Sequence, residues 1–434
     1  MKKVKKALVF MLVAALLSAI AVGFTGCRSS ETELVFAWWG GDGRAEQTRA
    51  VIGMFLEQND DVDYIEGLFT GFGDHWPAMS TRAAANDLPD IIQHDVAWIL
   101  SYVEAGHLVD LTPFINDNTL DLRNVPASAV DTGRIPGTPG VFGIPTGMNV
   151  AAMLYNADLL AELGLQAPRN MTLDHFIMLS REIYQRSGVR TNWAFNDPFN
   201  QMNVHLRAQG ASLFSDGRLG GTVEQYEQFF DVVAQSISEG WGIRPEHIAG
   251  REGMEQNPMW YPPGDDNANL RVWNSPVWSN MLNGYIADSP EGMQIGMTTY
   301  PSTNPPVSNF GRAAMYLTVS VHSDYPELAA EFISFYMNSV EAHRVVMGDR
   351  GAVVNPVVGD AIAPYLGEGP QRQVEFVNWV NAPGNSAPYS PFRPGYAAEL
   401  LEYLRLIIED LTMENITPRQ AAERFDAAGA RLAG

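Results

Sequence analysis

Between residues 33 and 115, strand-length apolar runs alternate with helical patterns, and few architectures accept that order. Residues 33–39 (ELVFAWW) form an apolar run, Gly40-Gly41-Asp42-Gly43 a turn, and a helical pattern covers 44–58. Residues 62–69 read as a second strand, 74–86 as a helix, 89–94 as a third strand, and 97–105 as a helix stopped at Gly106. Strands joined through helices pair in parallel and need cover on both faces, so the pattern predicts an α/β fold of sheets flanked by helices. A loop-rich stretch fills 116–140, and then the alternation restarts. Short strands are expected at 141–145 and 151–155, and an amphipathic helix at 173–186. Further strands are expected at 270–273 and 294–297, and helices at 326–338, 397–410 and 418–432.

A restart of this kind suggests two lobes, and the length agrees. After MKKVKK, residues 7–24 carry no charge, and the small residues Thr25 and Gly26 precede Cys27. Basic, apolar, then small is the order of an export signal, so residues 1–26 are expected to be a cleaved leader. Roughly 400 residues would remain, more than the ~250–300 that one core usually holds. Cys27 is the only cysteine. No internal disulfide is possible, and the core alone must hold an exported chain together.

All four lysines (Lys2, Lys3, Lys5, Lys6) lie in the leader. The other 24 of the 28 basic residues are arginines, set against 50 acidic residues, a net charge of −26 beyond the leader. Such a chain is no partner for nucleic acid, nor does it read an anionic lipid surface through basic residues. Membrane attachment would have to be covalent or through a partner protein, and Cys27 is the lipidation candidate, because two or three acyl chains hold where one is marginal.

Enzyme signatures are missing. There is no G-x-S-x-G elbow, Walker A loop, G-x-G-x-x-G fingerprint, H-x-H pair or H-E-x-x-H motif, so no cofactor and no metal is expected. Residues 264–269 (GDDNAN) cluster oxygen ligands but lack the glycine and distal glutamate of an EF-hand loop, and read as an exposed acidic loop. A carboxylate pair of the glycosidase kind is open to any cleft with acidic walls. A secreted carbohydrate-active enzyme and a lipoprotein adhesin or scaffold therefore remain as alternatives.

Four stretches carry a resemblance: LPDIIQHDVAWILSYVEAGHLVDLTPFI (88–115), GIPTGMNVAAMLYNADLLAELGL (143–165), SVHSDYPELAAEFISFYMNSVEA (320–342) followed by RGAVVNP (350–356), and RVWNSPVWSNM (271–281). Taken in chain order, behind the leader, they resemble the family 1 extracellular solute-binding proteins of ABC transporters, the sugar-binding group that includes maltose-binding protein. Leu173 stands where that family often has a Thr-Trp pair, and Phe24 where its lipobox usually has Leu.

The resemblance implies a two-lobed, periplasmic-binding-protein-like fold joined by a hinge of three crossings, near 141–145, 299–301 and 350–353. Lobe 1 would hold 27–143 and 301–351, and lobe 2 would hold 144–300 and 352–434. It further implies a non-enzymatic, monomeric receptor, lipid-anchored on the extracytoplasmic face. Such a receptor would hold a sugar or oligosaccharide between its lobes and hand it to an ABC permease.

Sugar recognition needs aromatic faces for the ring and polar side chains for the hydroxyls. Trp38 and Trp39 stand at the carboxyl end of the first strand, where open α/β sheets bind ligands. Their side chains point to opposite faces, so at most one is expected to reach a cleft. His94 and Asp95 end another strand. The resemblance makes Asp95 a hydroxyl acceptor, and its chain position also suits a helix cap. Trp273, Asn274 and Trp278 lie in the segment similar to the family's aromatic platform, with one tryptophan expected in the core. Trp193 is expected at a strand end beside the cleft. Tyr389, Phe392 and Arg393, in APYSPFRPGY, resemble a late aromatic element of the family.

Overall fold

The computed structural model describes residues 32–135, 137–245, 258–261, 270–382, 384–386 and 393–434. The leader with Cys27, the acidic loop 264–269, and the candidates Tyr389 and Phe392 lie outside these residues.

The first strand, β1 (Glu33–Trp39), is followed by α1 (Asp42–Leu56), β2 (Tyr64–Thr70), α2 (Phe72–Ala84), β3 (Ile91–His94) and α3 (Ile99–Glu104). Then come β4 (Ile144–Pro145), β5 (Met148–Asn156), α4 (Leu173–Ser187), α5 (Pro198–Arg207), β6 (Phe214–Ser215), β7 (Arg218–Leu219) and α6 (Val223–Ser238). The chain continues through β8 (Asn274–Trp278), β9 (Ile295–Thr299), β10 (Gly311–Ala313), β11 (Tyr316–Val319), α7 (Pro326–Asn338) and α8 (Val340–Val346). It closes with α9 (Glu368–Asn381), α10 (Ala397–Thr412) and α11 (Pro418–Leu432).

Five strands make the first sheet, in the order β2-β1-β3-β11-β4. β1 runs parallel to β2 and β3, as the strand-helix alternation requires, while β11 enters antiparallel between β3 and β4. The period of two along β1 puts Leu34, Phe36 and Trp38 on one face, under α1 and α7; Phe36 meets Phe332 edge-on at 5.4 Å. Ala37 faces the other way, onto Met79 of α2 and Tyr102 of α3. Trp38 is fully buried. Its ring occupies the space that a side chain at Gly67 of β2 would need, since a Cβ there would lie 2.5 Å from the indole.

The second sheet is built around β5, which pairs antiparallel with β8, β9 and β10. Phe176 of α4 and Phe229 of α6 pack with Trp193, Trp241 and Trp273 beneath it. Capping boxes begin α6 (Thr222 with Gln225) and α11 (Thr417 with Gln420), each satisfying two helix-end donors.

The strand pairings move the predicted lobe boundaries. Ile144–Pro145 belongs to the first sheet and Gly311–Ala313 to the second, so the chain crosses at Thr146–Gly147 and at Ala314–Met315 rather than at 143 and 299–301. A third junction lies where Ala352 bridges Met148. Gly351 adopts φ +91 there, and a Cβ on it would press on the Met148 carbonyl, Ala314 and Asn149. Only glycine takes that conformation cheaply. The strand expected at 270–273 lies instead at Asn274–Trp278. Among the described residues no helix is long and apolar enough to cross a membrane.

Candidate functional site

A cleft of about 580 Å³ opens between the two sheets where these crossings meet. Its first-lobe wall is made by the carboxyl ends of β1 and β3, the start of α2, and the loop after α8. Trp39, Phe72, Asp95, Arg44, Asp349 and Arg350 stand there. Trp39 meets Phe72 edge-on at 4.8 Å, and the Arg44 guanidinium lies over the indole at 5.1 Å. Arg44 Nε donates to Asp349 at 2.8 Å, and the buried Arg350 donates to Thr48 Oγ1 at 2.6 Å. Asp95 Oδ1 accepts the Ala97 N–H at 2.8 Å. One carboxylate oxygen thus serves the turn and leaves the other for the cleft.

The second-lobe wall comes from the start of α5, the end of β8, and β10. Asn196, Asp197 and Asn200 lie beside Trp278, Phe310, Arg312 and Arg393. Trp278 meets Phe310 edge-on at 5.9 Å, and Arg312 lies over its indole at 3.8 Å. Asp197 accepts both from Asn200 Nδ2, at 2.9 and 2.7 Å, and from the Tyr300 hydroxyl at 2.9 Å. Arg393 donates to Asn200 Oδ1 at 3.1 Å. Asn149, at the crossing between the walls, is buried and its Oδ1 has no partner; nor has Trp39 Nε1 or Arg312 Nε. Buried polar atoms are rarely left unsatisfied. Three such atoms stand in the walls of this cleft.

Four sequence candidates, Trp39, Asp95, Trp278 and Arg393, meet in this cleft. Five others lie in the cores, which corrects the expectation for His94, Trp193 and Asn274 and makes Trp38 and Trp273 the core members of their pairs. Trp38 is on the inner face of β1. His94 is enclosed by Trp76 and Tyr102 and bonds Thr318 through Nδ1 at 2.8 Å. Trp193 packs on Phe176 at 5.2 Å. Trp273 donates its indole N–H to Thr191 at 2.8 Å. Asn274 exchanges hydrogen bonds with the backbone of Asn192, at 2.9 and 3.0 Å. Sequence reasoning missed Phe72, Asn149, Asn196, Asp197, Asn200, Phe310 and Arg312. For the α5 group the signal was present, since Asp197-Pro198 is a helix-start pair. For Arg312 no local pattern points to the site.

Two sheets with a cleft at their crossings, walled by aromatic rings and polar side chains, define a two-lobed ligand-binding protein. Residues 50–360 match the family model for bacterial extracellular solute-binding proteins, and the chain belongs to that family. It is similar to an uncharacterized lipoprotein in the oleD 5′ region of Streptomyces antibioticus, with 20% identity over 312 residues, covering 70% of this chain. That match spans 66% of the relative, a little under two thirds of its length. Among solved structures, a family 1 extracellular solute-binding protein from Alicyclobacillus acidocaldarius superposes with a TM-score of 0.73 at 19% identity, covering 93% of this chain and 98% of the other. A periplasmic oligogalacturonide-binding protein from Yersinia enterocolitica gives 0.75 at 18%, covering 93% and 99%. At these identities the likeness concerns the fold. Among the described residues no cluster of three or more His, Cys, Asp or Glu could hold a metal ion.

Proposed function

We propose that the protein is the receptor of an ABC importer: it takes a sugar or oligosaccharide into the interlobe cleft and presents the closed form to a permease. The observation that carries this reading is the cleft's composition. Aromatic pairs face it from both lobes, Trp39 with Phe72 and Trp278 with Phe310, and the polar side chains of Asp95, Asn196 and Asn200 line it beside them. Rings present C–H faces to aromatics and hydroxyls to such groups. A ligand that touches both lobes only when they approach shifts the population toward closure. The neighbour from Yersinia, by its name, binds oligogalacturonide. The full chain in detergent, titrated with a broad carbohydrate panel, is expected to show a raised melting temperature and a smaller radius of gyration with at least one member. A flat response across the panel rejects the reading.

The same reading takes Cys27 as the acylated first residue of the mature chain, with the short segment before β1 as its tether. Support comes from the leader pattern and from the lipoprotein relative. Cys27→Ala is expected to move the protein from the membrane fraction to the soluble one with unchanged sugar binding; retention in the membrane would defeat the assignment.

A further inference from the structure

The charge of the cleft runs against that of the chain. Beyond the leader the sequence carries 24 arginines and 50 acidic residues, yet the cleft is lined by five arginines, Arg44, Arg312, Arg350, Arg393 and Arg405, against three aspartates. Some of this charge is already matched. Arg44 and Arg350 share Asp349, at 2.8 and 3.6 Å, and Arg405 pairs with Glu402 at 2.6 Å. Arg312 and Arg393, on the second-lobe wall, form no ion pair among the described residues.

The nearest carboxylate to serve them is Asp197, and both its oxygens are taken by neutral donors, Asn200 Nδ2 and the Tyr300 hydroxyl. Arg393 is held below its ordinary value, first by burial; Asp197 and Asp95 pull the other way and Arg312 adds repulsion. Arg312 keeps an unpartnered Nε beside Trp278. With Arg405 matched by Glu402, the four other arginines face Asp95, Asp197 and Asp349, which leaves the cleft as a whole with one positive charge in excess, in a place where water screens poorly.

Resting on the sugar-binding reading above, we propose that the solute is an acidic carbohydrate of the uronic-acid class, its carboxylate seated against Arg312 and Arg393. Guanidinium is the side chain that matches a planar carboxylate in two parallel hydrogen bonds. A single excess positive charge suits a monoanion; a phosphate ester, carrying nearly two charges at neutral pH, would leave repulsion against Asp197.

The test is calorimetry of the full chain in detergent with uronic acids and oligouronates of several configurations, each beside its carboxyl-reduced counterpart, and with sugar phosphates. A charge-assisted pair should make at least one uronate roughly 10–100-fold tighter than its reduced partner, with an affinity that falls as salt is raised. Arg312→Gln should collapse that ratio, with circular dichroism confirming the fold; if the variant does not fold, the salt dependence of the unmodified chain decides. Neutral sugars binding as tightly as uronates would overturn the inference and leave the sugar-receptor reading intact. Sugar phosphates binding more tightly than uronates would also overturn it. No binding by any carbohydrate, acidic or neutral, would remove both.

Discussion

Trp38→Ala is expected to lower the unfolding free energy by about 3–5 kcal/mol with solute affinity little changed in the molecules that remain folded, whereas Trp39→Ala is expected to do the reverse. The two residues are neighbours on one strand, and the pleat sends them to opposite faces. Trp38 is fully buried, 5.2 Å from Phe36 and 6.2 Å from Phe69, with Gly67 leaving room for its ring. Removing it opens a cavity in a core that cannot collapse past a β-sheet. Trp39 touches mainly Phe72 and Arg44 at the cleft; its loss should cost no more than about 1–2 kcal/mol of stability and roughly 10-fold or more in affinity. Urea unfolding followed by circular dichroism, with calorimetry for the solute, separates the two effects. Equal destabilisation by both variants would mean that the face assignment is wrong.

Stability is expected to fall steeply as the pH drops from about 6.5 toward 4. Burial depresses four histidines: His75, His205 and His343 to about 4, and His94 to about 3 with His75 adding repulsion. His94 Nε2, His75 Nε2 and both ring nitrogens of His343 have no hydrogen-bond partner, and Arg350 adds repulsion at His343. At His343 the Tyr336 backbone favours the proton, but burial outweighs it. Between the folded and unfolded pKa values the unfolded chain binds more protons, so unfolding becomes easier with each step down in pH.

A shift from 6.5 to about 4 costs on the order of 3 kcal/mol per histidine once the site must charge. Four such sites rival the 5–15 kcal/mol that holds a typical protein folded. The depressed carboxyls of Asp121 and Glu239, held near 2 by Arg123 and Arg181, act in the same direction at lower pH. Urea midpoints measured from pH 7.5 to 4.5 should decline across the range. A flat profile would show that the histidines titrate normally and that their enclosure is not maintained in solution.

Much of the fold was legible where burial has a period. The run ELVFAWW is β1 to the residue, and the helices α7 and α11 begin and end where the sequence suggested, each with proline at its first turn. β8 was misread because Pro276 interrupts it; it is tolerated since the strand pairs only with β5 and needs no donor on its other side. α5 escaped notice because it is short and buries polar residues such as Asn200, Gln201 and Asn203 along with its apolar ones, so its polar face does not read as a surface.

The site was legible only in part. A strand end marks where a ligand can approach, as at Trp39 and Asp95, but a tryptophan's identity does not say whether it fills a core or faces a cleft. Trp273 and Trp278 stand five residues apart in one motif and went to opposite fates. Arg312 and Asn149 reach the cleft only because two chain crossings bring β10 beside β5, a relation between distant segments that no local pattern carries.

The late arrival of β11 has a consequence for how the molecule is made. The first sheet cannot close until β11 slides between β3 and β4, and the bond between His94 and Thr318 spans 224 positions. A nascent chain therefore carries its first three strands with an open edge while the second sheet, β5 to β10, is synthesised. Such long-range closure is slow and leaves unpaired strand edges exposed to aggregation. Each lobe waits on a late segment, the first on β11 and the second on α10 and α11, whose Leu404 and Phe425 complete the core around Phe229, and a truncated chain ending before Tyr316 would lack the strand that joins β3 to β4.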